Sequence, residues 1–551
     1  MTIADLVRQR ARSAGARIAY TLLVDGADDA RSITWAQLDE RAAGMAAALH
    51  RHGVGGKPVL LALPSSLAFV ESLLGCWYAG AVAVPVSLPR HPRTQQRLER
   101  IASHCGARVA IATPDIQARL APTMPQVQWI DPAVAPGETI DAPLARASHH
   151  AVLQYTSGST GEPRGVIVGH DNLLDNSAQI SRICGHDEET VIGGWLPLFH
   201  DMGLVGLIIQ AAFTGSRCVF MSPERFLMRP RSWLAMIDRY RIRSSPAPNF
   251  AYDLCVEKVT DSAGLDLSAW RNALNGSEPV RAATLDRFAR AFAPCGFDRR
   301  AFLPCYGLAE ATLMVTAPDP DRRGVRRRAD GSPLPNDSPD GHVGCGNPPG
   351  NTRIAIVDPG TRVRVRDTEV GEVWVDGPSV ARGYFDDVQA CAATFGAMLS
   401  GEEGSWLRTG DLGFINEGSL FITGRLRELI VVLGRNIFPT DIERTAELVD
   451  AAVGSAAAFP VDVQDSERLV VAVELRREVA RSGGTVDAAD LQRRIAVAIS
   501  CEHEIAPHEV VLLSWGRLPR TTSGKISRIG VRDAYIADTL HSHRLPLTVD
   551  A

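Results

Sequence analysis

"YTSGSTGEPRGV", Tyr155 to Val166, packs three glycines, two serines and two threonines into twelve residues and carries one cation, Arg164. It follows the apolar run "AVLQ" from Ala151, which reads as a buried strand. A strand running into a turn of Gly, Ser and Thr exposes backbone N–H groups and hydroxyl donors toward one point, a geometry that suits a polyphosphate. The stretch lacks the Gly-Lys-Ser/Thr ending of a Walker loop. Read alone, it is either a phosphate cradle or an ordinary small-residue loop.

The surrounding alternation sets the fold class. "PVLLALP" from Pro58, "AVAVPV" from Ala81, "ARVAIAT" from Ala107, "VIGGWLPL" from Val191, "SRCVFMSP" from Ser216 and "AFLPCYG" from Ala301 read as buried strands. Helical stretches such as "PRSWLAMIDRYR" from Pro230 and "RAATLDRFARAF" from Arg281 separate them. Between Thr34 and Leu49, Leu38, Ala42, Met45, Ala46 and Leu49 share one helical face, with Thr34 and Gln37 placed as a capping box and Gly53 beyond the end. The texture changes to Pro, Gly, Asp and Arg from Ala317 to Gly346, a long loop or insertion. "TRIAIVD", "RVRVR" and "GEVWVDG" then predict short strands, and a hairpin turns at Asn416-Glu417-Gly418. Past Arg425 a new strand and helix pattern begins, with the boundary expected between Gly424 and Arg427. The expected architecture is α/β. Residues 1–424 form a large N-terminal domain of layered sheets and helices, with a β-rich subdomain over about 346–424, and residues 425–551 form a small α+β C-terminal domain.

Composition narrows the partners. With 45% hydrophobic and 22% charged residues over 551 positions, the chain is globular and long enough for more than one core. A net charge of -5 gives no basic footprint for nucleic acid or an anionic membrane. The local run "RRGVRRR" from Arg322 reads as a solvated loop. Ten cysteines without a CxxC pair or zinc spacing point to reduced thiols and a cytoplasmic location. The N-terminus has no apolar core followed by a cleavage site, so no secretion signal is expected. The longest apolar run, "MGLVGLIIQAAF" from Met202, is too short to span a bilayer and predicts a buried helix.

Five motifs follow one another in order: "YTSGSTGEPRGV", "YGLAEAT" at Tyr306–Thr312, "GEVWVDGPSVARGY" at Gly371–Tyr384, "RTGDLG" at Arg408–Gly413 and "LPRTTSGKISR" at Leu518–Arg528. Together they resemble the core motifs of the adenylate-forming enzyme superfamily of acyl-CoA synthetases, luciferases and amino-acid-adenylating domains. "GWLPLFHDMGLVG" from Gly194, "PAPNFAYDLC" from Pro246, "ALNGSEPV" from Ala273, "SVARGY" and "GRNIFPTDIE" are most similar to the fatty acyl-AMP ligases within it. Those ligases carry an insertion after the glutamate motif, where the Pro/Asp/Arg-rich segment 317–342 stands here.

The resemblance implies a fatty or related carboxylic acid, ATP and Mg²⁺ as reactants, giving acyl-AMP and pyrophosphate. It implies that Thr156, Ser157, Gly158, Ser159, Thr160 and Gly161 cradle the β- and γ-phosphates, with Arg164 where relatives often have lysine. Glu310 would hold Mg²⁺, a hard cation suited to carboxylate and phosphate oxygens. Asn275, Gly276, Ser277 and Glu278 would line the adenine, with Tyr306 and Gly307 against its face; Asp411 would accept from the ribose hydroxyls beside Arg425. Lys525 would bridge the carboxylate and the α-phosphate as charge builds up. His200, beside Asp201, either orients the carboxylate at the pocket mouth or belongs to a helix cap. Trp195, Met202, Phe250 and Tyr252 are candidates for the acyl pocket, and each is equally readable as plain core. Arg427 falls at the hinge position about which the C-terminal domain swings as a mobile lid, where most relatives have Asp or Lys.

The second step implied is transfer of the acyl group to the phosphopantetheine thiol of an acyl carrier protein. Lys525 stands 26 residues before Ala551, too few for a fused carrier domain, so the acceptor is expected in trans. An acyl- or aryl-CoA synthetase using free CoA is the rival within the superfamily. A catalytically silent binding or scaffold paralogue is the rival of another class, weakened by the presence of Glu310, Asp411, Arg425 and Lys525.

Overall fold

The structure is a computed structural model that describes all residues except 25–28, 90–91, 134–149, 157–162, 320–324, 329–330, 333, 335–340, 433–434, 464–465, 478–486, 522–523 and 541–551. Ser157, Gly158, Ser159, Thr160 and Gly161 therefore lie outside the described residues, as does much of segment 317–342. Two compact units are present: Met1–Thr409 with Phe414–Ile422, and Gly410–Gly413 with Thr423–Ala551.

Two sheets organise the first unit. One has six strands in the order Gln128–Ile130, Val109–Ile111, Pro58–Leu61, Val82–Pro85, His150–Thr156 and Arg164–Gly169. All neighbours are parallel except the last pair, which is antiparallel with Thr156 opposite Arg164. The glycine-rich stretch thus lies between two antiparallel strands, where a Walker loop would lead into a helix. The other sheet has seven strands in the order Phe302–Pro304, Asn272–Asn275, Ser244–Ala247, Val191–Gly194, Arg217–Met221, Ile18–Leu23 and Ala30–Thr34. Only its last pair is antiparallel. Short continuous apolar runs suit strands covered on both faces, and Val59, Leu60 and Leu61 are fully buried.

Local chemistry fixes several element ends as the sequence predicts. Helix Trp35–His50 starts at Thr34, whose hydroxyl accepts from Gln37 N–H while the Gln37 side chain accepts from Thr34 N–H. Strands Leu407–Asn416 and Ser419–Arg425 flank a two-residue turn in which Glu417 and Gly418 have φ of 49° and 77°. "RVRVR" differs: only Arg364 makes a bridge, to Val357, and Val363 remains 48% exposed. Of its two valines only Val365 packs against the core, so the alternation presents no continuous apolar face. The apolar run after His200 is helical, but with a π-helical stretch, Leu204–Ile209, between α-helical Asp201–Gly203 and Gln210–Thr214. Single π-turns inside helices concentrate at functional sites. Among the described residues, no helix is long and apolar enough to cross a membrane.

The second unit packs helices Pro439–Leu448, Ala488–His503 and Arg528–Ile536 on strands Val453–Val463, Ser466–Leu475 and Glu509–Leu513. One ion group ties its distant segments together. Arg528 Nε and Nη2 donate to the two Glu443 carboxylate oxygens at 2.6 and 2.7 Å, and Nη1 donates to Glu428. Burial alone would lower the Arg528 pKa, but Glu443 and Glu428 outweigh it and raise it. Replacing Arg528 by Met strands two carboxylates at a largely buried site, so Arg528→Met should destabilise this unit by about 3 kcal/mol in urea melts. An unchanged midpoint would contradict the bridging role.

Candidate active site

Four short parallel strands of the first unit end together at Gly194, Ala247, Asn275 and Pro304. Ligands of open parallel sheets gather beyond the carboxyl ends of the strands. There, Gly276, Ser277, Tyr306 and Gly307 line a narrow cavity of about 50 Å³, together with Asp201, Met202 and Gly206 from the helix that follows His200. Ile180, Ile192, Leu274 and Leu313 make much of its remaining wall apolar.

The backbone at the mouth is held in strained conformations. Ser277 has φ of 78°, and Thr312 combines φ of 70° with ψ of -60°, the γ-turn geometry closed by Leu313 N–H donating to Ala311 O at 2.9 Å. Thr312 Oγ1 donates to Ser379 O at 2.6 Å and holds that turn in place. Gly307 has no alternative: a Cβ there would lie 1.8 Å from Leu313 O.

The proposed adenine segment carries unmatched acceptors. Asn275 is fully buried and donates through Nδ2 to Asn249 Oδ1 at 3.1 Å. Its Oδ1, and Glu278 Oε1, are buried without a hydrogen-bond partner among the described residues. Native structures rarely leave such atoms unpaired, and a purine amino group is the kind of donor they accept. Asn249, which sequence reasoning did not single out, braces the segment by donating to Pro279 O and accepting from Arg281 N–H.

Glu310 follows on a short 3₁₀ turn, Ala309–Ala311, and its Oε1 accepts from Tyr384 Oη at 2.9 Å. Burial, with Glu310 beside it, holds the Tyr384 phenol proton far above its ordinary range, so Tyr384 is the donor. Arg164 lies over the same ring, 5.4 Å from its centroid. Tyr384 therefore links the glutamate motif to the end of the glycine-rich stretch. The only signal for it in the sequence was its place at the close of "SVARGY".

His200 precedes the helix in extended backbone, and its Nδ1 lies 2.5 Å from Asp201 Oδ1, which also accepts from Met202 N–H. Met202 lines the cavity. Trp195, Phe250 and Tyr252 do not line it. Trp195 stacks on Phe226 at 3.9 Å with Phe250 against its edge, and Tyr252 packs among Trp233, Trp270 and Phe288 while donating to Leu274 O. These three rings build the core behind the cavity.

The remaining candidates belong to the second unit. Asp411 is 5% exposed, and its Oδ1 accepts from Arg425 Nε at 2.9 Å. Arg427 sits in the 3₁₀ turn Leu426–Glu428, next to the carboxylate that receives Arg528. Lys525 is partly buried in a tight turn: its N–H donates to Thr521 Oγ1 and its carbonyl accepts from Thr521 N–H. Gly524, with φ of 86°, makes that turn possible.

Residues 7–385 match the family model described as AMP-binding enzyme. The chain is 37% identical to a medium-chain-fatty-acid–[acyl-carrier-protein] ligase of Moorena producens, over 98% of this chain and 96% of that protein. It is 35% identical to a long-chain-fatty-acid–AMP ligase of Mycobacterium marinum, over 100% and 99%. Among solved structures, a fatty acyl-adenylate ligase from Legionella pneumophila in complex with acyl adenylate and pyrophosphate aligns with a TM-score of 0.73 and 34% identity, over 97% of this chain and 96% of that one. The motifs, the cavity at the strand ends and these likenesses agree: the chain belongs to the AMP-binding enzyme family, in its fatty acyl-AMP ligase branch.

Proposed function

We propose that the protein activates a fatty acid with ATP to give acyl-adenylate and pyrophosphate, then passes the acyl group to the phosphopantetheine thiol of an acyl carrier protein. One observation carries the first step: an apolar cavity opens where the adenine segment and Tyr306 meet, so a carboxylate with its tail in the cavity points toward a nucleotide bound there. In that step a carboxylate oxygen bonds to the α-phosphorus, the bond to the bridging oxygen of the β-phosphate breaks, and pyrophosphate leaves. In the second, the thiol sulfur bonds to the acyl carbon and AMP departs.

Two anions must approach each other, so the residues that matter are those that supply or orient positive charge. Lys525 is the cation for the nucleophile and α-phosphate, Arg164 supports the phosphates, and Asp411 takes the ribose diol. The buried acceptors Asn275 Oδ1 and Glu278 Oε1 fit the adenine amino group. Among the described residues no cluster of three or more His, Cys, Asp and Glu would hold a metal by protein alone. Glu310 with substrate phosphate oxygens is instead the sparse oxygen set that suits Mg²⁺, which when bound would neutralise phosphate charge. Tyr384 orients that carboxylate by its hydrogen bond. Arg427 is the hinge candidate about which the second unit moves as a lid, and the reduced thiols fit a cytoplasmic setting.

Pyrophosphate release that requires an added acid, with the adenylate trapped as a hydroxamate, tests the first step. Robust acyl-CoA formation, without transfer to holo carrier protein, would overturn the acceptor. Lys525→Ala should lower the adenylation rate at least ~100-fold. Arg164→Lys should keep activity within a few-fold while Lys525→Arg should not; comparable losses would refute this division of roles. Gly206 lines the cavity, and a Cβ there would meet only Leu313 Cδ2 at 3.4 Å, so a larger side chain would project into the tail space. Gly206→Phe should cut kcat/KM about tenfold for the longest accepted acid and spare the shortest, checked with a chain-length panel.

A further inference from the structure

We propose that the far end of this cavity binds an oxygen-bearing group, a hydroxyl first of all, on the tail of the acid; this rests on the function proposed above and names its substrate class. The strand register gives the distance. Ser244 and Pro246 alternate onto one sheet face, paired with Asn272 and Leu274, and Gly276 continues the same face to the mouth. Four residues of strand, from Asn272 to Gly276, span about 13 Å. On the helical side, Met202 and Gly206 line the cavity, and Gln210 follows beyond the π-helical stretch. Ser244 and His186 line its far end, and the strand span equals the extended length of a chain of on the order of ten carbons at ordinary C–C geometry.

That far end is polar where a plain alkyl tail needs it apolar. His186 Nε2 is 2.7 Å from Ser244 Oγ, and His186 Nδ1 is 3.2 Å from Gln210 Nε2, which also donates to Ser181 Oγ at 2.8 Å. Asn272 Nδ2 donates to Ser244 Oγ at 2.9 Å. Ser244 and Gln210 are sealed from solvent, and Gln210 Oε1 has no hydrogen-bond partner among the described residues. Burial, with the Arg243 charge nearby, pushes His186 down to about 4, so the imidazole is neutral and has one N–H and one lone pair.

Counting donors then leaves a vacancy at Ser244 in either tautomer. If His186 Nδ1 accepts from Gln210, Nε2–H and Asn272 both donate to Ser244 Oγ, and the serine proton has no acceptor within the network. If the Gln210 amide is reversed, Nδ1–H donates to it, Ser244 donates to Nε2, and one serine lone pair remains open. A ligand hydroxyl, donor and acceptor at once, satisfies both cases. A methyl end leaves the group unmatched in a dry site, which binding must overcome.

The test compares decanoic acid with its ω-hydroxy and (ω-1)-oxo analogues, and the octanoic and dodecanoic series likewise, by acid-dependent pyrophosphate release from the full chain. At the best length, kcat/KM for the hydroxy acid should exceed that for the plain acid at least ~10-fold. Ser244→Ala should bring that ratio near one, and Ser244→Thr, which keeps the hydroxyl, should retain it. If wild type favours the plain acid at every length, the His186–Ser244 pair only measures tail length and the proposal falls, whatever the variants do. Silence of both series toward pyrophosphate release would instead refute acid activation itself.

Discussion

The register of four short parallel strands is the constraint on which this site depends. Ser244 pairs with Asn272 and Ala247 with Asn275, so one hydrogen-bonded ladder places both ends of the cavity at once. A slip by one residue would turn Pro246 and Leu274 away from the cavity and present the neighbouring residues instead. Nothing local enforces this. The buried residues on both faces of the sheet, Ile192, Ala247, Ala273 and Phe302 among them, do so collectively by their packing.

Charge is arranged differently from shape. The cavity wall is largely apolar, whereas Glu310 and Lys525 stand in turns, on a 3₁₀ turn and beside Gly524 with its positive φ, and Arg164, Asp411 and Arg425 lie on strands, Arg164 and Arg425 at strand ends. Turns hold polar groups at fixed points without a regular element's own hydrogen bonds competing for them. The conformational cost at Thr312 is met by its hydrogen bond to Ser379.

Legibility in the sequence followed the same division. Glu310, Asp411 and Lys525 stand out as candidates because each sits in a contiguous motif, with Arg425 downstream of the second-last one, and the helix after Thr34 was readable because its cap is written in four residues. The α/β layering was readable from alternating apolar runs, though "RVRVR" misled, since alternation alone cannot say whether a face is covered. The cavity was not readable. Ile180, His186, Gly206, Ser244, Leu274 and Leu313 come from segments that only the fold brings together. For the same reason Trp195, Phe250 and Tyr252 could not be told from lining: an aromatic beside a pocket and one behind it have the same local signal. The π-turn at 204–209 also has no signature in an apolar run.

Gly206 sits in that π-turn, where an added Cβ would meet only the Leu313 side chain, and it contributes no polar atom to the groups proposed for the nucleotide. On the proposed reading, tail length is governed by a position that carries no side chain of its own into the chemistry. A lineage carrying this scaffold can move between short and long acids by exchanging one small side chain for another, keeping its chemistry while its product spectrum drifts.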